Sequence, residues 1–256
     1  MRYMLQSLLF WGFVLASSLL LFPSAVVIWA VTLPFDRRRL ILHRFTCLWA
    51  SLYTWTNPAW PVQVQGREKL VDDRACVMVA NHLSLLDILV LFRLFSHFKW
   101  VSKLENFRVP LIGWNMRLNR YIPLRRGDRV SVYQMMRLCE ETLAGGSSIM
   151  MFPEGTRSPH GRLRRFKTGA FELAKKTGSP IQPIVIRGTA DALPKRGFVL
   201  QGRHPISLTV LDAIAPERFA DLSVEELTLH VHAIIAAETG DAAALEANPE
   251  TAAATL

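Results

Sequence analysis

Residues 4–33 form one long apolar run, with few polar or helix-breaking residues, Gln6, Ser17, Ser18, Pro23 and Ser24 among them. A helix needs about 20 such residues to cross the hydrocarbon core of a bilayer, so this run is long enough to span one. Arg37, Arg38 and Arg39 follow at once. Cations at that place are retained on the cytoplasmic side, and each one close to anionic lipid adds roughly 1 kcal/mol of attraction. A second apolar stretch, Leu40 to Trp60, contains Arg44 and several Trp and Tyr residues, a composition suited to the membrane interface. A cleaved secretory signal fits less well. Its basic region would be Arg2 alone, the run exceeds an ordinary signal core, and no small-x-small site closes it. A buried core helix is the other alternative. Spanning and monotopic hairpin arrangements both fit the pattern.

The chain has 256 residues, enough for one ordinary domain plus an appendage. Half the residues are apolar and the net charge is +9. A basic chain seeks nucleic acid, anionic lipid or anionic substrates, and the apolar excess favours lipid. Cys47, Cys76 and Cys139 lie far apart in apolar surroundings, without zinc or redox spacing, and read as buried thiols of a reducing compartment.

From Pro61 the pattern changes to alternating strands and helices. Val62–Gln65 alternates like an edge strand ended by Gly66, whereas Ala75–Ala80 is wholly apolar and suits a buried strand. Helices are expected over Ser84–Phe95, in a short turn from Pro110 to Trp114, over Val130–Ala144 with a Gly145-Gly146 stop, and over Thr168–Lys176 with Gly178 beyond it. Further strands are expected at Lys99–Ser102, Arg120–Leu124, Ser148–Phe152, Ile181–Ile186 and Ile206–Leu211. Ser223 and Glu226 form a capping box for a last helix through about Glu238. The fold class is α/β, a largely parallel sheet flanked by helices, with an N-terminal apolar membrane-associated helical segment. Residues 1–60 are read as the anchor, 61–238 as the α/β domain and 239–256 as a disordered tail.

Two blocks carry chemistry. The first is Asn81-His82-Leu-Ser-Leu-Leu-Asp87, at the carboxyl end of a strand, where α/β folds place ligands. The five-residue offset from His82 to Asp87 does not share a helical face, so the two side chains meet only if His82 lies in the loop and Asp87 in the first helical turn. A carboxylate would then orient the imidazole as a general base. Equally, Ser84-x-x-Asp87 is itself a capping box, with Asp87 serving the helix alone. The second block is Phe152-Pro-Glu-Gly-Thr-Arg157. Gly155 permits a sharp turn, and Arg157 offers a planar fork suited to phosphate or carboxylate. Glu154 either holds Arg157 or accepts from a substrate hydroxyl. Arg162, Arg164, Arg165 and Lys167 thicken the positive field or form a solvated loop. A further cluster comprises Arg117, Arg120, Arg125, Arg126 and Arg129.

Together the blocks resemble the glycerolipid acyltransferase family that includes 1-acylglycerol-3-phosphate O-acyltransferases. The Asn-His-x4-Asp and Phe-Pro-Glu-Gly-Thr-Arg motifs of that family stand here at 81–87 and 152–157. A third family motif falls loosely on Asn119–Arg125, with Asn119 where Gly is usual and Leu124 where a polar residue is common. A fourth matches Ile181–Val185 roughly, with Gln182 in an apolar place. The resemblance implies acyl transfer from acyl-CoA or acyl-acyl carrier protein to the sn-2 hydroxyl of lysophosphatidate, giving phosphatidic acid. It implies His82 and Asp87 as catalytic residues, and Arg125, Glu154, Gly155, Thr156 and Arg157 as substrate-binding residues. It implies no metal and no organic cofactor beyond the acyl co-substrate. Membrane lipid is the expected partner, nucleic acid is not, and the expected place is the cytoplasmic (inner) membrane with the catalytic domain facing the cytoplasm. Another lysolipid acceptor is the alternative, and a silent lipid-binding protein the non-enzyme one. Backbone amides at the start of the helix after His82 are candidates for holding an oxyanion. No Gly-x-Ser-x-Gly elbow and no Gly-x4-Gly-Lys-Ser/Thr loop occurs, which disfavours a serine esterase and a P-loop phosphotransferase.

Overall fold

The computed structural model describes residues 2–158, 162–195 and 198–241. The apolar run becomes α1 (Arg2–Thr32), a continuous helix that passes through Pro23, and the aromatic-rich stretch becomes α2 (Leu40–Trp55). Asp36 sets the turn between them, its carboxylate accepting from the amides of Leu40 and Ile41 at 2.8 and 2.9 Å. α1 is long and apolar enough to cross a membrane, and only 11% of its most apolar window is buried. That low burial disagrees with the core-helix alternative. Leu8, Leu9, Leu15, Leu20, Val27 and Val31 point away from the protein. The opposite face is docked. Ser17 and Ser18 reach the Tyr53 hydroxyl on α2 at 3.1 and 3.2 Å, and the Trp11 indole donates to the Phe198 carbonyl at 2.7 Å.

The α/β domain follows in the order β1 (Val62–Gln65), β2 (Val77–Ala80), α3 (Leu86–Leu91), β3 (Phe98–Lys103), α4 (Ile112–Leu118), β4 (Ile122–Leu124), α5 (Arg129–Ala144), β5 (Ser148–Met151), α6 (Gly169–Thr177), β6 (Ile181–Arg187), α7 (Thr189–Ala192), β7 (Ile206–Val210) and α8 (Val224–Thr239). The seven strands form one sheet in the order β1-β7-β6-β2-β5-β3-β4. Every neighbouring pair is parallel except β6 with β7. The central strands β2, β5 and β6 are buried on both faces, as their largely apolar runs require, and the buried Gln182 of β6 is satisfied by the Val71 amide and the Leu211 carbonyl. Side chains alternate along them into two cores. Met78, Ala80 and Met150 join the core beneath α1 to α4, whereas Val77, Val79, Ile149 and Met151 join the core beneath α5, α6 and α8. The N-terminal helices therefore cover one face of the sheet and α5, α6 and α8 the other.

Most expected elements occur within a few residues of their expected ends. The expected Ser84–Phe95 helix is shorter. It starts at Leu86, tightens to a 3-10 turn at Phe92–Leu94, and ends where Phe95 adopts φ +55°. Of the segment expected as a tail from position 239, the first three residues are described and are ordered against the domain. α8 runs through Thr239, Gly240 takes φ +72°, and the Asp241 carboxylate accepts from the Leu163 amide at 2.8 Å. Residues 242–256, the remainder of that segment, lie outside the described residues. All three cysteines are free and buried.

Candidate active site

β2 and β5 are adjacent and parallel, with Val79 paired to Met151, so the segments leaving their carboxyl ends emerge side by side. This is why two blocks distant in sequence meet. They are joined in both directions: the His82 amide donates to Glu154 Oε1 at 2.6 Å, and the Ser158 amide donates to the His82 carbonyl at 2.8 Å.

His82 lies in the loop and Asp87 in the first turn of α3. The imidazole Nδ1–H donates to Asp87 Oδ2 at 2.8 Å, which leaves Nε2 unprotonated in the neutral ring. The ring lies flat on Phe152, with centroids 3.9 Å apart and 9° between planes, and Phe152 in turn leans on Trp100. Asp87 is wholly buried. The same Oδ2 accepts from the amides of Leu83 at 2.7 Å and Ser84 at 2.8 Å, while Oδ1 accepts from the Thr189 hydroxyl at 2.5 Å. One carboxylate therefore contacts both the ring and the start of the helix. Asp87 holds the ring and accepts from the Ser84 amide, as in half of a capping box, while the Ser84 hydroxyl donates to the Leu193 carbonyl at 2.6 Å and accepts from the Leu86 amide at 3.3 Å instead of from the amide of Asp87. This arrangement narrows the expected oxyanion donors, leaving the amide of Leu85 without a partner among the described hydrogen bonds. The amides of Leu83 and Ser84 already serve Asp87, and that of Leu86 is directed at Ser84 Oγ.

Glu154 is buried, and its second oxygen accepts from the Arg164 amide at 3.2 Å. Its carboxylate thus faces backbone amides of two loops. Neither a bond to Arg157 nor a place in the cavity lining is among its described contacts. Burial pushes its carboxyl from the ordinary 4.5 up to about 8, with the Asp87 charge adding to the rise and the two amides opposing it. Gly155 adopts φ +70°, a conformation that favours glycine, and a Cβ there would lie 3.0 Å from Lys167 Cε and displace that side chain.

A cavity of about 790 Å³ opens beside these residues. His82, Phe152, Gly155 and Arg157 line it together, so the imidazole and the guanidinium share one space. Arg126, Lys103, Lys167 and Lys195 add cations to the wall, and Leu85, Ile88, Val109, Ile112 and Met116 supply an apolar side. Arg125, expected to bind substrate, is exposed and outside the lining, which its neighbour Arg126 joins instead. Thr156 is half-buried and also outside it. Sequence reasoning left Thr189, Phe152 and Lys167 without specific roles. Phe152 stands in the second block and Lys167 is one cation among several in a basic loop, whereas Thr189 gave no signal. Among the described residues no group of three or more His, Cys, Asp or Glu side chains is disposed to hold a metal ion.

The fold and the site define a class: an α/β protein with an oriented imidazole and a cation-walled cavity at the carboxyl ends of its strands. Residues 61–187 match the family model described as Acyltransferase. A 1-acyl-sn-glycerol-3-phosphate acyltransferase of Chlamydomonas reinhardtii is 40% identical over 215 residues, covering 82% of this chain and 63% of that one. A chloroplastic enzyme of the same name from Brassica napus is 43% identical over 62% of this chain and 46% of its own length. The chain thus spans about half to two thirds of these relatives. The crystal structure of the 1-acyl-sn-glycerophosphate acyltransferase PlsC from Thermotoga maritima superposes with a TM-score of 0.70 at 26% identity, covering 94% of this chain and 95% of that chain. The chain belongs to the acyltransferase family.

Proposed function

We propose that the protein transfers a fatty acyl group from a thioester, acyl-CoA or acyl-acyl carrier protein, to the sn-2 hydroxyl of 1-acylglycerol-3-phosphate, giving phosphatidic acid. The observation that carries this reading is the shared cavity of His82 and Arg157. The names of the relatives support the choice of acceptor.

In this reading, His82 Nε2 takes the proton of the acceptor hydroxyl as its oxygen attacks the thioester carbonyl. The carbon–sulfur bond then breaks, the ester remains on the glycerol, and the departing thiolate takes the proton from the imidazolium. Asp87 holds the ring and stabilises its charged form. Arg157 and Lys167 receive the acceptor phosphate, which aligns the hydroxyl; such positioning lowers a barrier by several kcal/mol, roughly. The apolar wall from Ile88 to Met116 accommodates an acyl chain. The proposed chemistry uses no metal and no organic cofactor. Both lipids are sparingly soluble, and the exposed face of α1 gives the enzyme a bilayer contact, with Arg37 to Arg39 directing the domain to the cytoplasmic side of the inner membrane.

Membranes carrying the chain should incorporate labelled palmitate from palmitoyl-CoA or palmitoyl-carrier protein into lysophosphatidate, and membranes carrying His82→Ala should not. Full activity in the His82→Ala protein would remove the base assignment, and absence of transfer from either donor would remove the reaction.

A further inference from the structure

We propose that the outer face of α5 docks an acidic carrier protein that brings the acyl group as a thioester. The proposal rests on the acyl-transfer reading above and selects one of its two donor classes.

Helical geometry places Arg129, Val130, Tyr133 and Arg137 on one stripe, about 100° wide. It is the side of α5 away from the core, because Met135, Cys139 and Leu143 are the residues buried against the sheet. Val130 is 65% exposed and Tyr133 is 70% exposed. Arg137 is paired only along the helix, with Glu141 at 3.2 Å. Among the described ion pairs none involves Arg125, Arg126 or Arg129. Of the acids nearby, Asp128 is occupied as the cap of α5, accepting from the amides of Val130 and Ser131, and Glu140, which helical geometry puts on the same stripe, is paired with Lys176 at 2.6 Å. The stripe is therefore a net-positive surface with two large apolar groups in it.

Three features choose the occupant. First, the stripe is continuous with the cavity: Arg126, in the turn that leads into α5, lines the same space as His82. A donor seated on α5 would thus stand beside the mouth through which its thioester must reach the imidazole. Second, exposed Tyr among arginines is the composition of a protein-binding surface, where aromatic and Arg side chains supply most of the affinity and opposite charge speeds encounter. A small anionic thioester needs the cations but leaves Val130 and Tyr133 without a role. Third, α5 packs in the core opposite to that of α1 and α2. A membrane engaging the apolar face of α1 is thus met from the other side of the sheet, and α5 is left available to a soluble partner.

The test uses the full-length protein in detergent micelles, with an acidic acyl carrier protein charged with palmitate and, separately, palmitoyl-CoA. The variants are Arg129→Glu and Tyr133→Ser. An acid in the first turn suits the dipole of α5, so Arg129→Glu should leave the helix intact, and Tyr133→Ser removes the apolar group without reversing charge. Each variant should raise the KM for the palmitoyl carrier protein roughly tenfold or more, with palmitoyl-CoA kinetics within twofold of the parent. Immobilised carrier protein should bind the parent and lose each variant by the same factor, whether or not turnover occurs; that arm separates failure of the docking idea from failure of the acyl-transfer reading. Equal effects on both donors, unchanged carrier kinetics and binding, or a parent that does not bind the carrier would each overturn the proposal. So would variants that lose only their affinity for vesicles of phosphatidylglycerol, since the stripe would then meet membrane.

Discussion

Asn81 and Ile186 exchange two hydrogen bonds of 2.8 Å, the side-chain amide of one acting as an extra peptide for the backbone of the other. The exchange extends the β2–β6 ladder by one step past Ala80, which fixes where the chain leaves the sheet and hence where His82 begins. Both polar groups of Ile186 are in a buried strand. Asn81→Ala should cost about 1–3 kcal/mol for the buried groups it orphans, seen as a lower melting temperature in detergent, and should also reduce kcat. Asn81→Asp presents an acceptor to the Ile186 carbonyl and should be at least as damaging. A variant with unchanged melting and turnover would show that the ladder does not hold the loop.

The Asp87 carboxylate has four donors, and they divide its work. Asp87→Asn should lower kcat by roughly 10²–10⁴, since the ring loses both its orienting acceptor and the charge that stabilises imidazolium. Thr189→Val removes only the 2.5 Å bond to the other oxygen and should lower kcat far less, with no change in acceptor KM. Steady-state kinetics on both variants check the ranking; a Thr189→Val defect equal to that of Asp87→Asn would place the control in α7 instead of in the ring contact.

Glu154 makes stability fall with rising pH. Its folded-state pKa of about 8 lies above the ordinary 4.5, so between those values the folded chain holds a proton that the unfolded chain has released. Stability from this group is greatest below about pH 4.5, declines across the window, and is constant above about pH 8. Glu154→Gln keeps a neutral side chain throughout. The difference in unfolding free energy between parent and Glu154→Gln should therefore shift in favour of Gln as pH rises through the window, read from denaturant titrations at several pH values. A pH-independent difference would mean that Glu154 is ionised in the fold.

How far the sequence reaches is clear from these same residues. The motif spacing lets His82 and Asp87 meet if the first lies in the loop and the second in the first helical turn, and it offers Arg157 as an anion fork, because both depend on local geometry at a strand end. The partners of Asp87 were not legible, since Thr189 lies 102 positions away and comes close only through the β6–α7 turn. The backbone partners of Glu154 are hidden from the sequence for a related reason. A carboxylate in a basic loop suggests an ion pair, but the buried turn has backbone amides of its own to satisfy. Periodicity placed the strands well, yet gave no sign that β7 returns antiparallel beside β6 while pairing parallel with β1.

Arg157 and Gly155 shape the anion wall in different ways, and kinetics can separate them. Arg157→Lys replaces a planar fork by a point charge and should raise the lysophosphatidate KM with little change in the donor KM. Gly155→Ala forces a left-handed backbone at a cost of about 1–2 kcal/mol and pushes against the Lys167 chain, so it should lower stability as well as acceptor affinity. A donor-specific KM change in Arg157→Lys would exclude the phosphate role.

The last contact of the described chain reaches back to this wall. Asp241 accepts from the Leu163 amide, and Phe166 packs edge-on against His232 of α8 at 4.8 Å. The same loop supplies the Arg164 amide to Glu154 and, through the Lys167 amide, a 2.9 Å bond to the Pro153 carbonyl. The end of α8 thus holds the segment that places Lys167 over Gly155. Asp241→Ala should leave the fold intact, with a stability loss of about 0.5–1.5 kcal/mol for one partly exposed bond, yet raise the acceptor KM more than it lowers kcat. Asp241→Asn, which retains an acceptor oxygen, should restore most of the affinity. If both variants lowered kcat equally with KM unchanged, the end of α8 would be acting on the imidazole loop and not on the cations.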